Sequence, residues 1–330
     1  MENIIPPIPA LPQEVIDAIN SESLAIFVGA GVSRLIGCEG WNGLARNLID
    51  KCFNTTNGTE RCINEEQKEI LSNSKDCKKV ISICYEILKN NHEDLFFEEL
   101  ERSLKKDEEI DLPIYTEVYN LLQGTVEGIE DISGIYLTTN ADEHFDEYFN
   151  DKTKIISNPD EFRSEDIGEI KLYHVHGTIS QKDTLVFTVS QYFKRYNDKK
   201  FLDVLREIFD TYVILFIGYG LDEFEVIDFL FTKLGLEDKE YDKIELKDFL
   251  LKGYTTDGSH ELDFDNLYYN KLGITVLGYD LGDDSDDKNY AQLYDVLINW
   301  NEEISDRETR IYEATEEMMG IIHEHERPKE

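Results

Sequence analysis

Basic side chains are scarce in this sequence. The chain has 33 Lys and Arg residues against 70 Asp and Glu residues, which gives a formal net charge of −37 at pH 7. Nonspecific binding to DNA or RNA requires Lys and Arg to neutralise phosphates, and anionic membrane surfaces attract the same side chains. The charge balance therefore argues against nucleic acid and membranes as direct partners, and it favours solubility.

Paired cysteines and long apolar runs are also missing. The sequence has no Cys-x-x-Cys pair, and its cysteines are odd in number: Cys38, Cys52, Cys62, Cys77 and Cys84. This pattern favours reduced, structural thiols in a cytosol and provides no four-cysteine zinc site. No apolar run is long enough to span a bilayer, and the first residues lack the basic start and apolar centre of a signal peptide. We therefore expect a cytoplasmic protein without a membrane segment and without zinc.

The hydrophobic residues indicate a globular fold. They make up 41% of the chain, and 18 Tyr and 17 Phe residues are among the aromatics. Short apolar runs typical of strands alternate with helical patterns such as 200–210 and 224–234, which predicts an α/β fold with a mostly parallel sheet. The predicted strands are 24–28, 132–137, 154–157, 172–175, 185–189, 213–217, 249–251 and 274–278.

Four polar or glycine-rich motifs follow predicted strands. Gly29-Ala30-Gly31 comes after the first strand, with Ser33 where a helix could begin, and this arrangement suits either a phosphate or a tight turn. The others are Thr138-Thr139-Asn140-Ala141-Asp142, His176-Gly177 and the segment from Phe216 to Asp222. Because ligands bind beyond the carboxyl ends of parallel strands, this edge of the sheet is the predicted pocket.

In this order, the motifs resemble those of the sirtuin family: its Gly-Ala-Gly-x-Ser loop, its Thr-Gln-Asn-x-Asp motif and its catalytic His-Gly pair. The likeness covers roughly residues 20–50 and 130–300 and is closest to a divergent bacterial branch that includes antiphage NADases. It implies a sirtuin-type Rossmann-like, mostly parallel sheet with a helical insertion. The predicted organisation is an N-terminal arm and helix (1–22), a sirtuin-like Rossmann domain (23–53 and 131–302), a helical insertion (54–130) and an acidic helical tail (303–330).

The resemblance implies three catalytic residues. Asn140 would hold a ribose hydroxyl and position the attacking water, although an Asn after a strand also suits a helix N-cap. Asp142 would face the nicotinamide amide, although acidic residues also favour the first turn of a helix. His176 would be the general base, since its ordinary pKa of about 6.5 allows proton transfer at neutral pH. His174, two residues earlier on the same face of the strand, is the less favoured candidate.

The resemblance also implies the residues that would bind NAD+. Trp41 stands where deacylating sirtuins have Asp-Phe-Arg, and its ring would stack in the pocket or pack in the core. The pyrophosphate would lie on one group of residues and the adenosine on another: Gly29, Ala30, Gly31 and Ser33, and then Gly218, Tyr219 and Asp222.

The activity implied by the resemblance is that of an NAD+ glycohydrolase in bacterial antiphage defence, regulated as a homo-oligomer or by a partner such as a translocase-type ATPase. An NAD-dependent protein deacylase, an ADP-ribosyltransferase and a module that senses NAD or ADP-ribose without turnover are the alternatives. The missing zinc module and the missing Asp-Phe-Arg segment weigh against acyl-lysine substrates.

Overall fold

The structure is a computed structural model that describes residues 5–58, 60–90, 92–123, 134–220, 247–282 and 291–307. Three predictions lie outside these residues: the helix at 224–234, the adenosine-side residue Asp222 and the part of the acidic tail after residue 307.

Within the described residues, seven strands form one sheet, and every pair of neighbours in it is parallel. Their order across the sheet is β5-β6-β4-β1-β7-β8-β9. The strands are β1 (Leu24–Val28), β4 (Ile135–Thr138), β5 (Ile155–Ile156), β6 (Leu172–His174), β7 (Val213–Ile217), β8 (Asp248–Tyr254) and β9 (Ile274–Asp280). A separate antiparallel pair consists of β2 (Thr56–Asn57) and β3 (Glu60–Arg61). The predicted α/β fold with a mostly parallel sheet is confirmed.

Helices cover both faces of the sheet. In the described part of the chain, none of them is both long and apolar enough to cross a membrane. Their bounds are α1 (Gln13–Asn20), α2 (Ala30–Arg34), α3 (Trp41–Asn54), α4 (Glu65–Ser72), α5 (Cys77–Leu88), α6 (Glu93–Ser103), α7 (Ile114–Asn120), α8 (Val189–Arg195), α9 (Lys199–Thr211), α10 (Ser259–Tyr269) and α11 (291–307).

Strand β1 is the centre of the sheet and is buried on both faces. Leu24, Ile26 and Val28 contribute to one core with α1, α7 and α11. Ala25 and Phe27 contribute to the opposite core with α9. A strand covered on both sides needs apolar residues at every position, which explains the unbroken run in the sequence.

The chain order places a crevice at the end of β1. The chain leaves β1 toward β4 on one side and later adds β7 on the other side. Val28 is paired with both Thr138 and Ile217, so the segments that follow these three strands meet at one edge. Connections that diverge from neighbouring strands leave a ligand crevice at their carboxyl ends.

The insertion differs from its prediction in three respects. It is not all helical, because β2 and β3 interrupt it. Helix α3, assigned by the sequence to the sheet domain, packs with α5 and α6 in a core of its own. Helix α7, assigned to the insertion, packs on the sheet instead. Helical spacing predicts an amphipathic helix, but it does not identify the element that the apolar face covers.

The predicted strand at 185–189 is wrong. Leu185, Val186 and Phe187 are buried, but they form no strand, and α8 begins at Val189. Thr188 caps this helix in a reciprocal capping box with Gln191. These residues are apolar because they are buried between the insertion and the sheet. A buried apolar segment does not have to pair with another strand.

Helix α11 fixes the N-terminal arm and extends past the predicted start of the tail. The fully buried Trp300 donates its indole N–H to the Pro9 carbonyl at 2.9 Å. Ile304 is buried in the same core, and the helix continues through residue 307. The predicted boundary at 302/303 therefore falls inside a packed helix.

Candidate active site

Two glycine loops meet backbone to backbone after β1 and β7. The Gly31 N–H donates to the Gly218 carbonyl at 2.8 Å, and the Gly29 N–H donates to the Ile217 carbonyl at 2.9 Å. A Cβ atom at Gly29 would lie 2.4 Å from the Gly218 oxygen, and one at Gly31 would lie 2.8 Å from it. These glycines are therefore needed for contact between the loops, with or without a ligand.

Gly218 has two reasons to be glycine. Its φ is +62°, in the left-handed region, and a Cβ there would lie 2.7 Å from the Val32 nitrogen. Its neighbour Tyr219 was predicted on the adenosine side, but the Tyr219 ring is buried against Phe27 and Phe216, with centroid distances of 4.9 and 5.8 Å. The groups of the two loops at the crevice surface are thus the partly exposed Ala30, Gly31 and Gly218.

Asn140 is held by the ends of β1 and β4. Its backbone N–H donates to Thr138 Oγ1 at 3.0 Å, and Thr138 Oγ1 donates to the Val28 carbonyl at 3.0 Å. Its side-chain Nδ2 donates to the Gly29 carbonyl at 3.1 Å and to Ser33 Oγ at 2.9 Å. The sequence placed Asn140 near the glycine loop, and the structure joins them directly.

The amide orientation of Asn140 follows from its partners. A backbone carbonyl can only accept a hydrogen bond, so the atom that faces Gly29 must be the nitrogen. The Asn140 oxygen Oδ1 then points the other way, and it is buried with no hydrogen-bond partner among the described residues. A buried acceptor without a donor is costly, so this site is suited to a ligand hydroxyl or a water.

Asp142 lies behind Ser33 and is 4% exposed. The Ser33 hydroxyl donates to Asp142 Oδ2 at 2.7 Å, and burial raises the pKa of this carboxyl above its ordinary value. Because the single hydrogen of Ser33 points to Asp142, the groups that donate to Ser33 Oγ are Asn140 and the Tyr115 hydroxyl, 2.8 Å away. The Ser33 hydroxyl is thus fully used by hydrogen bonds with Asp142, Asn140 and Tyr115. A phosphate would have to be bound by other groups.

Tyr115 is a site residue that the sequence did not reveal. It lies on α7 and is buried, and its hydroxyl oxygen also lies 3.4 Å from Asp142 Oδ1. No motif surrounds it, and it is far in the chain from Ser33, so only the packing of α7 on the sheet brings it there.

His176 follows β6 and is 2% exposed. Thr138 is paired with His174, so Asn140 and His176 each lie two residues beyond a paired position on neighbouring strands. The His176 Nε2 lies 2.9 Å from the Tyr196 hydroxyl, and the Tyr192 ring packs edge-on at 5.2 Å. Tyr192 lies on α8 and Tyr196 is the residue directly after it. Neither was predicted as a site residue, although their spacing of four places them on one side of the helix end.

Trp41 contacts the segment that connects His176 to α8. Its partly buried ring lies 5.6 Å from Phe187, in the segment between His176 and α8, and the Lys78 ammonium lies 5.7 Å from the ring centroid. These contacts join the insertion to the segment that follows His176.

Metal ligands do not converge in the described part of the chain: it contains no group of three or more His, Cys, Asp or Glu side chains that could hold an ion. All five cysteines are free thiols, and three of them are buried. The absence of zinc stays a prediction.

Part of the chain is similar to a known protein family. A family model described as a SIR2-like domain matches residues 134–247, which contain the Asn140, Asp142 and His176 motifs. This supports a sirtuin-like relationship and an NAD-related role for the region. No curated protein matches the chain.

We predict that Gly218→Ala destabilises the protein more than Gly282→Ala. Both glycines have positive φ, +62° and +78°, but no described atom lies within 4 Å of a Cβ at Gly282. Left-handed strain costs about 1–2 kcal/mol in each case, and the clash with Val32 adds about 1–3 kcal/mol at Gly218. Urea unfolding measures both variants, and equal losses would contradict the close contact between the loops.

We predict a pH-dependent difference between the wild type and Asp142→Asn. The pKa of Asp142 is raised by burial, so the folded protein binds this proton more tightly than the unfolded chain, in which the pKa is about 3.9. Relative to the variant, the wild type should therefore lose stability as the pH rises from about 4 through the raised pKa.

Unfolding free energies measured from the acid side of pH 4 up through that range test this prediction. Asp151→Asn is the control of opposite sign: hydrogen bonds from Thr153 lower the pKa of Asp151, so the wild type gains stability over this variant as the pH rises toward about 4. A wild-type advantage over Asp142→Asn that grows with pH would show that Asp142 is not a buried, penalised carboxylate.

Proposed function

We propose that this protein is an NAD+ glycohydrolase that converts NAD+ and water into nicotinamide and ADP-ribose. The observation that carries the proposal is the buried Oδ1 of Asn140 at the carboxyl ends of β1, β4 and β7, for which the described residues provide no hydrogen-bond partner. The similarity of residues 134–247 to a SIR2-like domain supports NAD as the class of ligand.

Hydrolysis of NAD+ would use a hydrogen-bond acceptor at the position of Asn140 Oδ1. Nicotinamide leaves as a neutral base while positive charge develops on the ribose, so a catalyst must hold the ribose and deliver one water. A ribose hydroxyl or the attacking water can donate to Asn140 Oδ1. The fixed amide then orients this group before the bond to nicotinamide breaks.

His176 is the proposed general base. An imidazole is able to take a proton from water or from a ribose hydroxyl near neutral pH. The Tyr196 hydroxyl, 2.9 Å from Nε2, would hold the ring in one orientation. The pyrophosphate would bind against the partly exposed backbone of Ala30, Gly31 and Gly218. Ser33 contributes indirectly, because its hydroxyl accepts a hydrogen bond from Asn140.

The remaining contacts with NAD+ are also proposals. Asp142 acts from behind Ser33, and its predicted contact with the nicotinamide amide would require Ser33 to move. Trp41 packs on Phe187, and we propose that together they bound the part of the pocket that holds nicotinamide. The Tyr219 backbone and Asp222 would line the part that holds adenosine.

We predict that Asn140→Ala and His176→Ala each lower NAD+ cleavage by about 10²–10⁴-fold. Asn140→Asp should be as inactive as Asn140→Ala, because a carboxylate oxygen in place of Nδ2 would face the Gly29 carbonyl. Chromatography of nicotinamide and ADP-ribose measures the rates, and thermal unfolding confirms that each variant folds.

His260→Ala is the matched control, since His260 is exposed on α10 and its loss should leave the rate unchanged. Near wild-type cleavage by Asn140→Ala would remove the proposed role of the amide. Tight binding of NAD+ by the wild type without release of nicotinamide would favour the sensing module instead.

We predict that the purified protein contains less than about one-tenth of a zinc ion per chain, because structural zinc sites need about four Cys or His ligands. Elemental analysis after dialysis measures the metal content. One zinc per chain would contradict this and would favour the alternative of a protein deacylase. A zinc-free protein that transfers ADP-ribose to a protein would favour the transferase.

Regulated activity in antiphage defence is the last part of the proposal, and the sequence resemblance supports it. The proposed homo-oligomer or ATPase partner would act through the insertion, which contacts the segment after His176 through Trp41 and Phe187, or through the tail. We predict that a chain ending at residue 307 keeps its fold, since Ile304 stays in the core, but has lower NAD+ cleavage. Sedimentation and rate measurements on both chains test this, and full activity of a monomeric truncated chain would contradict it.

A further inference from the structure

His174, the less favoured histidine of the sequence, is the residue that holds the main chain of Asn140. It is the last residue of β6 and is fully buried. Its Nδ1 lies 3.3 Å from the backbone oxygen of Asn140, and its Nε2 lies 2.9 Å from Asp146 Oδ1. Asp146 belongs to the 3-10 helix Phe145–Tyr148, which follows the Asn140 motif.

Both partners of the His174 ring are acceptors. The Asn140 carbonyl can only accept, so Nδ1 must carry a hydrogen. Nε2 lies against the carboxyl of Asp146, so Asp146 holds the opposite side of the same ring. Burial raises the pKa of Asp142, and the nearby His174 opposes that effect.

We propose that His174 and Asp146 form a positioning pair that fixes the Asn140 carbonyl and thereby the direction of Asn140 Oδ1. This inference rests on the proposed function, in which Oδ1 orients the reacting group. With Thr138 on the backbone N–H and Gly29 and Ser33 on Nδ2, every polar group of Asn140 except Oδ1 then has a partner.

The expected signature of a positioning pair is a change in turnover without a change in affinity. Rotation of the Asn140 peptide would move Oδ1, and a displacement of about 1 Å at a reacting group costs up to about 10²-fold in rate. Binding of NAD+ depends mainly on other groups, so KM should stay within about twofold of the wild-type value when Oδ1 is displaced.

His174→Asn and His174→Gln separate the two hydrogen bonds of the ring. The amide nitrogen of Asn lies near the position of Nδ1 and can still donate to the Asn140 carbonyl. The amide nitrogen of Gln lies near the position of Nε2 and can still donate to Asp146. We expect kcat to fall by about 10- to 100-fold in His174→Gln and by less than about threefold in His174→Asn. Both variants lose one buried hydrogen bond, so their melting temperatures should fall alike.

Equal kcat values for the two variants, or rates that simply follow the melting temperatures, would overturn the proposal. If His174→Gln fails to fold, His174→Leu replaces it: this side chain also leaves the Asn140 carbonyl without a donor, so kcat should fall below that of His174→Asn at unchanged KM. A kcat equal to that of His174→Asn would overturn the proposal. A wild-type protein without NAD+ cleavage is a failure of the proposed function instead. The crystal structure of His174→Gln then decides, because an Asn140 peptide in its wild-type orientation would overturn the positioning role.

Discussion

The rest of the site depends on the backbone contact between the loops that follow β1 and β7. Gly31 donates to the Gly218 carbonyl, and this close approach leaves no room for a side chain at Gly29. The contact fixes the Gly29 carbonyl at the point where the Asn140 amide donates to it. A wider separation of the loops would release that carbonyl, and the Asn140 amide would lose its defined orientation. The glycines thus act on the chemistry through the backbone of the protein itself.

A chain with a net charge of −37 presents a mainly neutral site to the anionic NAD+ that we propose as its substrate. The groups bonded to the rest of the Asn140 amide and to Ser33 are the Gly29 carbonyl and the hydroxyl of Tyr115. The buried carboxyl of Asp142 accepts the hydrogen of Ser33, and burial raises its pKa, which disfavours its negative charge. Acidic residues elsewhere are screened over about 8 Å at physiological salt, so the overall charge does not exclude NAD+ from the crevice.

Much of this architecture was predictable from the sequence, for identifiable reasons. Strands β1 and β7 are unbroken apolar runs with glycine directly after them, and their predicted bounds are confirmed. The segment at 185–187 was mistaken for a strand because burial alone produces the same pattern. The hydroxyl of Tyr115 and the partnership of His174 with Asn140 depend on how α7 and β6 pack, and no local pattern encodes such contacts. The motifs therefore predicted where the site lies, and tertiary packing decided which atoms meet there.

A crystal structure of the protein with ADP-ribose bound would test the role of Asn140 most directly. A ribose hydroxyl, or an ordered water beside the ribose, should lie within about 2.7–3.0 Å of Asn140 Oδ1. The Asn140 nitrogen should still donate to the Gly29 carbonyl in that complex. An ADP-ribose molecule bound away from the ends of β1, β4 and β7, or an Oδ1 atom paired with a protein donor instead, would contradict that role.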